Sequence, residues 1–296
     1  SVNGRAIAKE KMRKDAIAYQ RFSFASSKGK SPALQSLILK GELHPDLPLM
    51  VANRGGHAQG KLPQWKQQFE AATERVKILC STSQEDADRW AKGVDAVVAR
   101  FFAIFPAPTG WKQTSTVYVF RSPEVLRAYS GNAQPHSLER GKAALAIVEE
   151  KDDTIGTMGG LVIGENLKRL SSALPEWWET GLVQYHRELR IEGETFTVAP
   201  LPADVKSKAR QGFDEIGKSG FLDYLQEKQM VRESGALAHA WVHFLLEADG
   251  GAHRPILVAL YEALRQGKPT DQAVAETIPA DALEKLLTGF VSSLSS

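Results

Sequence analysis

The sequence predicts an α+β protein in which a few short strands precede a mainly helical C-terminal part. Two runs rich in β-branched and aromatic residues, Val76–Cys80 (VKILC) and Thr116–Phe120 (TVYVF), read as strands on either side of a long helical pattern. A third run, Ala143–Val148, reads the same way. Beyond Arg190 the apolar residues recur at helical spacing almost to the C-terminus.

Taken in order, residues 1–70 form an N-terminal helical and loop extension. It opens on a charged helical pattern from Arg5 to Tyr19 and continues through a short apolar segment at Leu34–Leu39. Val51–Pro63 carries Gly55, Gly56 and Gly60; without a strand-glycine-helix frame these read as a flexible loop rather than a phosphate cradle. Thr82 and Glu85 are spaced as a capping box for a helix running to about Phe105. Along it Trp90, Val94, Val97, Val98, Phe101, Phe102 and Phe105 make an apolar face suited to a core. Ser122 caps a short helix with Pro123 in its first position. Ile155–Ile163 is an apolar, glycine-rich run expected to include an edge strand. A hairpin at Ile191–Val198 precedes helices near Ala203–Gln211, Phe221–Gln229, Gly235–Ala248, Arg254–Arg265, Asp271–Thr277 and Ala280–Leu294. The expected division is 1–70, an α+β segment 71–190, and a helical segment 191–296.

Composition excludes several functions. The 37 basic and 35 acidic residues nearly cancel and are interspersed, so nucleic acid is not an expected partner. The single cysteine, Cys80, rules out an intramolecular disulfide and any cysteine zinc cage, and its apolar setting reads as a buried thiol. No stretch approaches the roughly 20 apolar residues of a transmembrane helix. The expectation is a soluble chain, periplasmic or secreted on one reading and cytoplasmic on the other. No signal peptide is visible, and Ser1 in place of methionine fits a processed chain. Oligomeric state is not legible.

The segment with most chemical content is Leu174–Tyr185, LPEWWETGLVQY. Leu174, Pro175, Trp177, Trp178, Gly181, Leu182 and Tyr185 fit a pattern that resembles the third-ligand helix of gluzincin (peptidase-MA-like) zinc metallopeptidases, particularly a bacterial branch of uncharacterised domains. The strand and short helix of VYVFRSPEVLRAY and the later stretch Gly235–Gly267 resemble the same family, so the likeness spans roughly Val76 to Leu294. It implies a gluzincin-like (zincin) domain with a small mixed sheet followed by a mainly helical C-terminal part. It also implies that an H-E-x-x-H helix should precede the tryptophan-rich one, with both histidines aimed at one metal and the glutamate as general base.

At the corresponding place stands GENLK: Glu165 holds the general-base position, Gly164 and Lys168 the two ligand positions, and Thr180 the third. None supplies a zinc donor of the usual kind, so no metal and no other cofactor is expected. Glu179 adjoins Thr180 but differs from it by about 100° in direction on a helix. The implied cleft would be lined by Trp178, Tyr185, Glu165 and His243, with Lys168 offering a positive charge to an anionic ligand group. His239 and His243 have the one-turn spacing of a metal pair but lack the intervening glutamate, and read as core or cleft histidines.

The leading expectation is a catalytically inactive metallopeptidase-like scaffold binding a peptide, a protein or a cell-envelope component. Two alternatives remain open: an active metal-dependent peptidase with an unorthodox His239/His243 site, and a purely structural assembly protein.

Overall fold

The computed structural model describes residues 65–295, apart from 66, 124, 127–134, 138–143, 149–153, 171–173, 193–194 and 230. The expected helix Arg5–Tyr19, the segment Leu34–Leu39 and the loop Val51–Pro63 lie outside the described residues. The chain divides into two compact units, one of Ser1–Asp95 with Lys112–Thr154, the other of Ala96–Trp111 with Ile155–Ser296. These bounds differ from the segments 71–190 and 191–296 read from the sequence, since residues 155–190 fall with the helices that follow them.

The first unit holds a five-stranded mixed sheet. Its strands are β1 (Phe69–Ala72), β2 (Val76–Cys80), β3 (Ser115–Phe120), β4 (His136–Ser137) and β5 (Ala144–Val148), in the order β1-β2-β3-β5-β4. The three expected strands form its parallel centre, with Ile78 opposite Val117 and Val117 opposite Leu145. The outer strands β1 and β4 pair antiparallel. A parallel strand is covered on both faces, which is why the apolar residues Ile78–Cys80 and Val117–Phe120 are consecutive rather than alternating with polar ones. Val76, Ile78, Leu79, Cys80 and Val117–Phe120 are all buried.

Helix α1 (Gln84–Ile104) connects β2 to β3, and its first half buries Ala87, Trp90, Ala91 and Val94 in this unit. The cap lies one residue later than expected. Ser83 Oγ accepts the Asp86 amide at 3.0 Å and donates to Asp86 Oδ2 at 2.9 Å, whereas Thr82 Oγ1 donates to Cys80 Sγ at 3.3 Å. Asp95 then ties α1 to the β1–β2 turn, accepting from Thr73 Oγ1 at 2.8 Å and from the Arg75 guanidinium at 3.2 Å. Ser122 caps a helical turn as expected, with its Oγ accepting the Val125 amide at 3.3 Å.

The second unit is helical, apart from the hairpin β6 (Leu189–Glu192) and β7 (Thr195–Val198). Its helices, besides the end of α1, are α2 (Thr154–Leu170), α3 (Glu176–Arg187), α4 (Ala203–Leu225), α5 (Ser234–Glu247), α6 (Arg254–Arg265), α7 (Thr270–Thr277) and α8 (Ala280–Ser295). The two helices expected between Ala203 and Gln229 are the two halves of α4, separated at Gly217, whose φ of 63° breaks the helical geometry between them.

The largest correction concerns Ile155–Ile163, which is not an edge strand but the body of α2. Gly156, Gly160 and Gly164 recur every fourth residue and so share one face. A Cβ at Gly156 would stand 2.6 Å from the Arg187 carbonyl oxygen, and one at Gly160 2.6 Å from that of Val183. At Gly164 it would stand 2.9 Å from Val183 Cγ2. The stripe lets α2 approach α3 backbone to backbone. On a neighbouring face Gly159 meets Val97 of α1, where a Cβ would lie 2.6 Å from Cγ1. Four glycines cost an isolated helix about 1 kcal/mol each relative to alanine, so only this packing makes the segment helical.

Helix α3 is closely packed on its other side too. A Cβ at Gly181 would stand 2.6 Å from the Ala238 carbonyl oxygen and 2.4 Å from Val242 Cγ2, both on α5.

Candidate functional site

Four faces of α3 place the residues singled out in the sequence. The face carrying Glu179 and Val183 meets α2. Lys168 Nζ lies 3.2 Å from Glu179 Oε1 and 3.9 Å from Glu165 Oε1, so one ammonium stands between two carboxylates. The Lys168 side chain is 57% exposed, and such a pair contributes at most about 1 kcal/mol. Its charge is already matched, and the trio carries one net negative charge. The expected free positive charge for an anionic ligand is therefore not present.

A second face carries Glu176 and Thr180. For Thr180 the resemblance implied a place facing Gly164 and Lys168. Thr180 lines a recess of about 110 Å³ together with Glu176, Trp177, Tyr224, Glu227, Gln229, Val231, Ser234 and Gly235. The residue turned toward α2 is Glu179, one position earlier, and the 100° step between neighbours on a helix separates the two directions.

Local structure builds this recess. Glu227 sits just past the end of α4 with a φ of 57°, in the left-handed position usually given to glycine. Its amide donates to the Tyr224 carbonyl at 3.0 Å, and the next amide, of Lys228, donates to that of Asp223 at 2.8 Å, closing a Schellman-type end. Glu227 Oε1 in turn accepts the Glu176 amide at 2.5 Å, so it caps the N-terminus of α3. Trp177 Nε1 donates to the Leu225 carbonyl at 2.8 Å, and the Tyr224 hydroxyl donates to that of Ser234 at 3.2 Å.

The third face is core. Trp178 is fully buried, stacked on Tyr261 with ring centroids 5.9 Å apart and 9° between planes. Phe105 packs its edge against Trp178 at 5.5 Å. Trp178 does not line an open channel, and Tyr185, also fully buried, does not either. The Tyr185 hydroxyl donates to Glu247 Oε1. Burial first, and the Glu247 carboxylate second, hold that phenol well above the usual tyrosine range. The fourth face, at Gly181, is the one seated on α5.

His239 and His243 are turned to separate partners. His239 Nε2 lies 3.2 Å from Glu188 Oε2, close enough for an ion pair but without hydrogen-bond alignment. His243 Nε2 contacts the Ala199 carbonyl oxygen at 3.4 Å. Burial, with a smaller contribution from His239, lowers the His243 pKa against the opposing pull of Ala199, Glu247 and Glu188. Among the described residues no group of three histidine, cysteine or acidic side chains is arranged to hold a metal.

Two members of this cluster were not identified from the sequence, Glu188 and Glu247. Glu247 had a legible signal, since it follows His243 by four residues on α5 just as His243 follows His239. Glu188 had none, because its role comes from the turn between α3 and β6.

The donor set does not fit a zinc ion. Gly164 has no side chain and no room for one without displacing Val183, Lys168 is a cation held by Glu179, and Thr180 offers only a neutral hydroxyl. Among the described residues, no helix is long and apolar enough to cross a membrane. No protein-family model matches this chain, and a comparison with curated proteins returns no match.

Proposed function

We propose that the chain is a non-catalytic, metallopeptidase-like scaffold that binds a peptide or protein. The observation that supports this reading is the closure between α2 and α3. Where the resemblance places a metal and its activated water, a glycine stripe brings two backbones together, and Lys168 is paired to the carboxylate that faces it. Glu165, in the general-base position, has an ammonium for a neighbour.

The test combines a broad peptide library with added zinc, using the native chain and Glu165→Gln. The reading expects no cleavage by either and the same peptide-binding profile for both. Zinc-dependent cleavage that disappears in Glu165→Gln would overturn it.

A further inference from the structure

We propose that the recess between α3 and the α4–α5 connection is a binding site for a primary alkylammonium, presented as a lysine side chain of the bound peptide. The inference deepens the binding reading by naming its ligand chemistry.

Size sets the first limit. At about 110 Å³ the recess is well below the roughly 300–1,000 Å³ of pockets that hold drug-sized molecules, and is on the scale of one side chain. Its walls set the second. The rings of Trp177 and Tyr224 and the side chain of Val231 offer apolar contact along a methylene stem, while Thr180 supplies a hydroxyl. Lysine has this divided character, an apolar stem ending in a compact charge with three donors.

Charge selects the head group. The described lining includes two carboxylates, Glu176 and Glu227, and no lysine, arginine or histidine. The α3 N-terminus, which Glu227 caps, contributes only about half a positive charge, so the recess remains net negative. That potential reaches inward: the buried Tyr224 phenol is held above its usual range by burial first and then by Glu176 and Glu227. An anion is disfavoured for the same reason, although a helix N-terminus is present. The Tyr224 hydroxyl spends its proton on the Ser234 carbonyl, which leaves its oxygen as an acceptor for an ammonium.

The test titrates the full chain with Nα-acetyl-lysine methylamide by calorimetry. The control is Nα-acetyl-norleucine methylamide, which keeps the stem and lacks the charge, and a third arm uses free n-butylammonium. The lysine probe should saturate at one site and the norleucine probe should bind at least about tenfold more weakly, as expected for loss of a charge-assisted hydrogen bond. Glu176→Gln, at an exposed position that leaves the α3 cap in place, should weaken the lysine probe severalfold. Thr180→Leu, which fills the recess, should do the same, with thermal melts showing that both variants fold. Butylammonium should compete for the same site, more weakly than the lysine amide; equal or tighter butylammonium binding would move the ligand from a peptide side chain to a free amine and overturn the lysine assignment. Equal binding of both amino-acid probes, no binding of the lysine probe, or undiminished binding in Glu176→Gln would each overturn the inference. Peptide binding that is indifferent to lysine would leave the scaffold reading standing while removing this one, whereas zinc-dependent cleavage would remove the scaffold reading alone.

Discussion

Replacing Gly160 by alanine sets two effects of opposite sign against each other. Inside an exposed helix the change stabilises by up to about 1 kcal/mol, because glycine loses more backbone freedom on folding. In α2 the new Cβ would stand 2.6 Å from the Val183 carbonyl oxygen and 2.7 Å from Arg187 Cγ. The carbonyl belongs to the α3 backbone and cannot rotate away. An ordinary contact begins near 3.4 Å, so α2 and α3 must separate by several tenths of an ångström. A gap of that size forfeits a quarter to a half of the dispersion energy of the contacts it opens. Overpacking of this kind costs roughly 1–3 kcal/mol, and more when backbone must move, which leaves a net loss of about 2 kcal/mol after the helix gain. For a unit of this size that lowers Tm by roughly 4–8 °C. The internal control is Gly235→Ala in the first turn of α5, where the added Cβ meets nothing within 4 Å and the helix gain acts alone. Thermal unfolding followed by far-UV circular dichroism should lower Tm for Gly160→Ala and hold or raise it for Gly235→Ala. If Gly160→Ala raises Tm as Gly235→Ala does, α2 and α3 are not in backbone contact, and the argument that their interface excludes a metal fails with it.

Introducing the donors that the resemblance implies, by the triple change Gly164→His, Lys168→His and Thr180→Glu, should not create a zinc site, because residue 164 is obstructed by Val183 and residue 180 lines the recess; about one dialysis-resistant zinc per chain by elemental analysis would contradict this. His186 is fully buried, with Nδ1 2.7 Å from the Leu182 carbonyl, and burial pulls its pKa down from 6.5 to about 4 despite that bond. A depressed histidine pKa means that its contribution, about 3 kcal/mol at most, is complete above 6.5 and is lost as pH falls toward 4. His186→Phe should flatten part of the acid side of the stability profile, leaving the share due to His243, and an unchanged profile would refute the assignment. Lys168→Met should change stability by less than about 1 kcal/mol in denaturant titration, since the ammonium is mostly exposed; a loss above about 2 kcal/mol would show the pair to be shielded from solvent.

Local chemistry in the sequence determined the parallel centre of the sheet, the long α1 and the helices after Arg190. β-branched runs, apolar positions at helical spacing and a capping serine act through neighbours a few residues away, and such patterns can be read along one chain. The same local rules failed at Ile155–Ile163, where glycine content argues against a helix and only contact with α3 reverses the balance. They also identified Thr180 and its neighbour Glu179 as the residues in question but could not orient them, because a helix turned by one residue aims a different side chain at α2. The pairing of His239 with Glu188, the burial of Trp178 and the joining of Glu176 and Glu227 across 51 residues of chain are decided by which surfaces meet. Propensity and period are properties of a segment, whereas a site is a property of the distances between segments, and those exist only once the helices have packed.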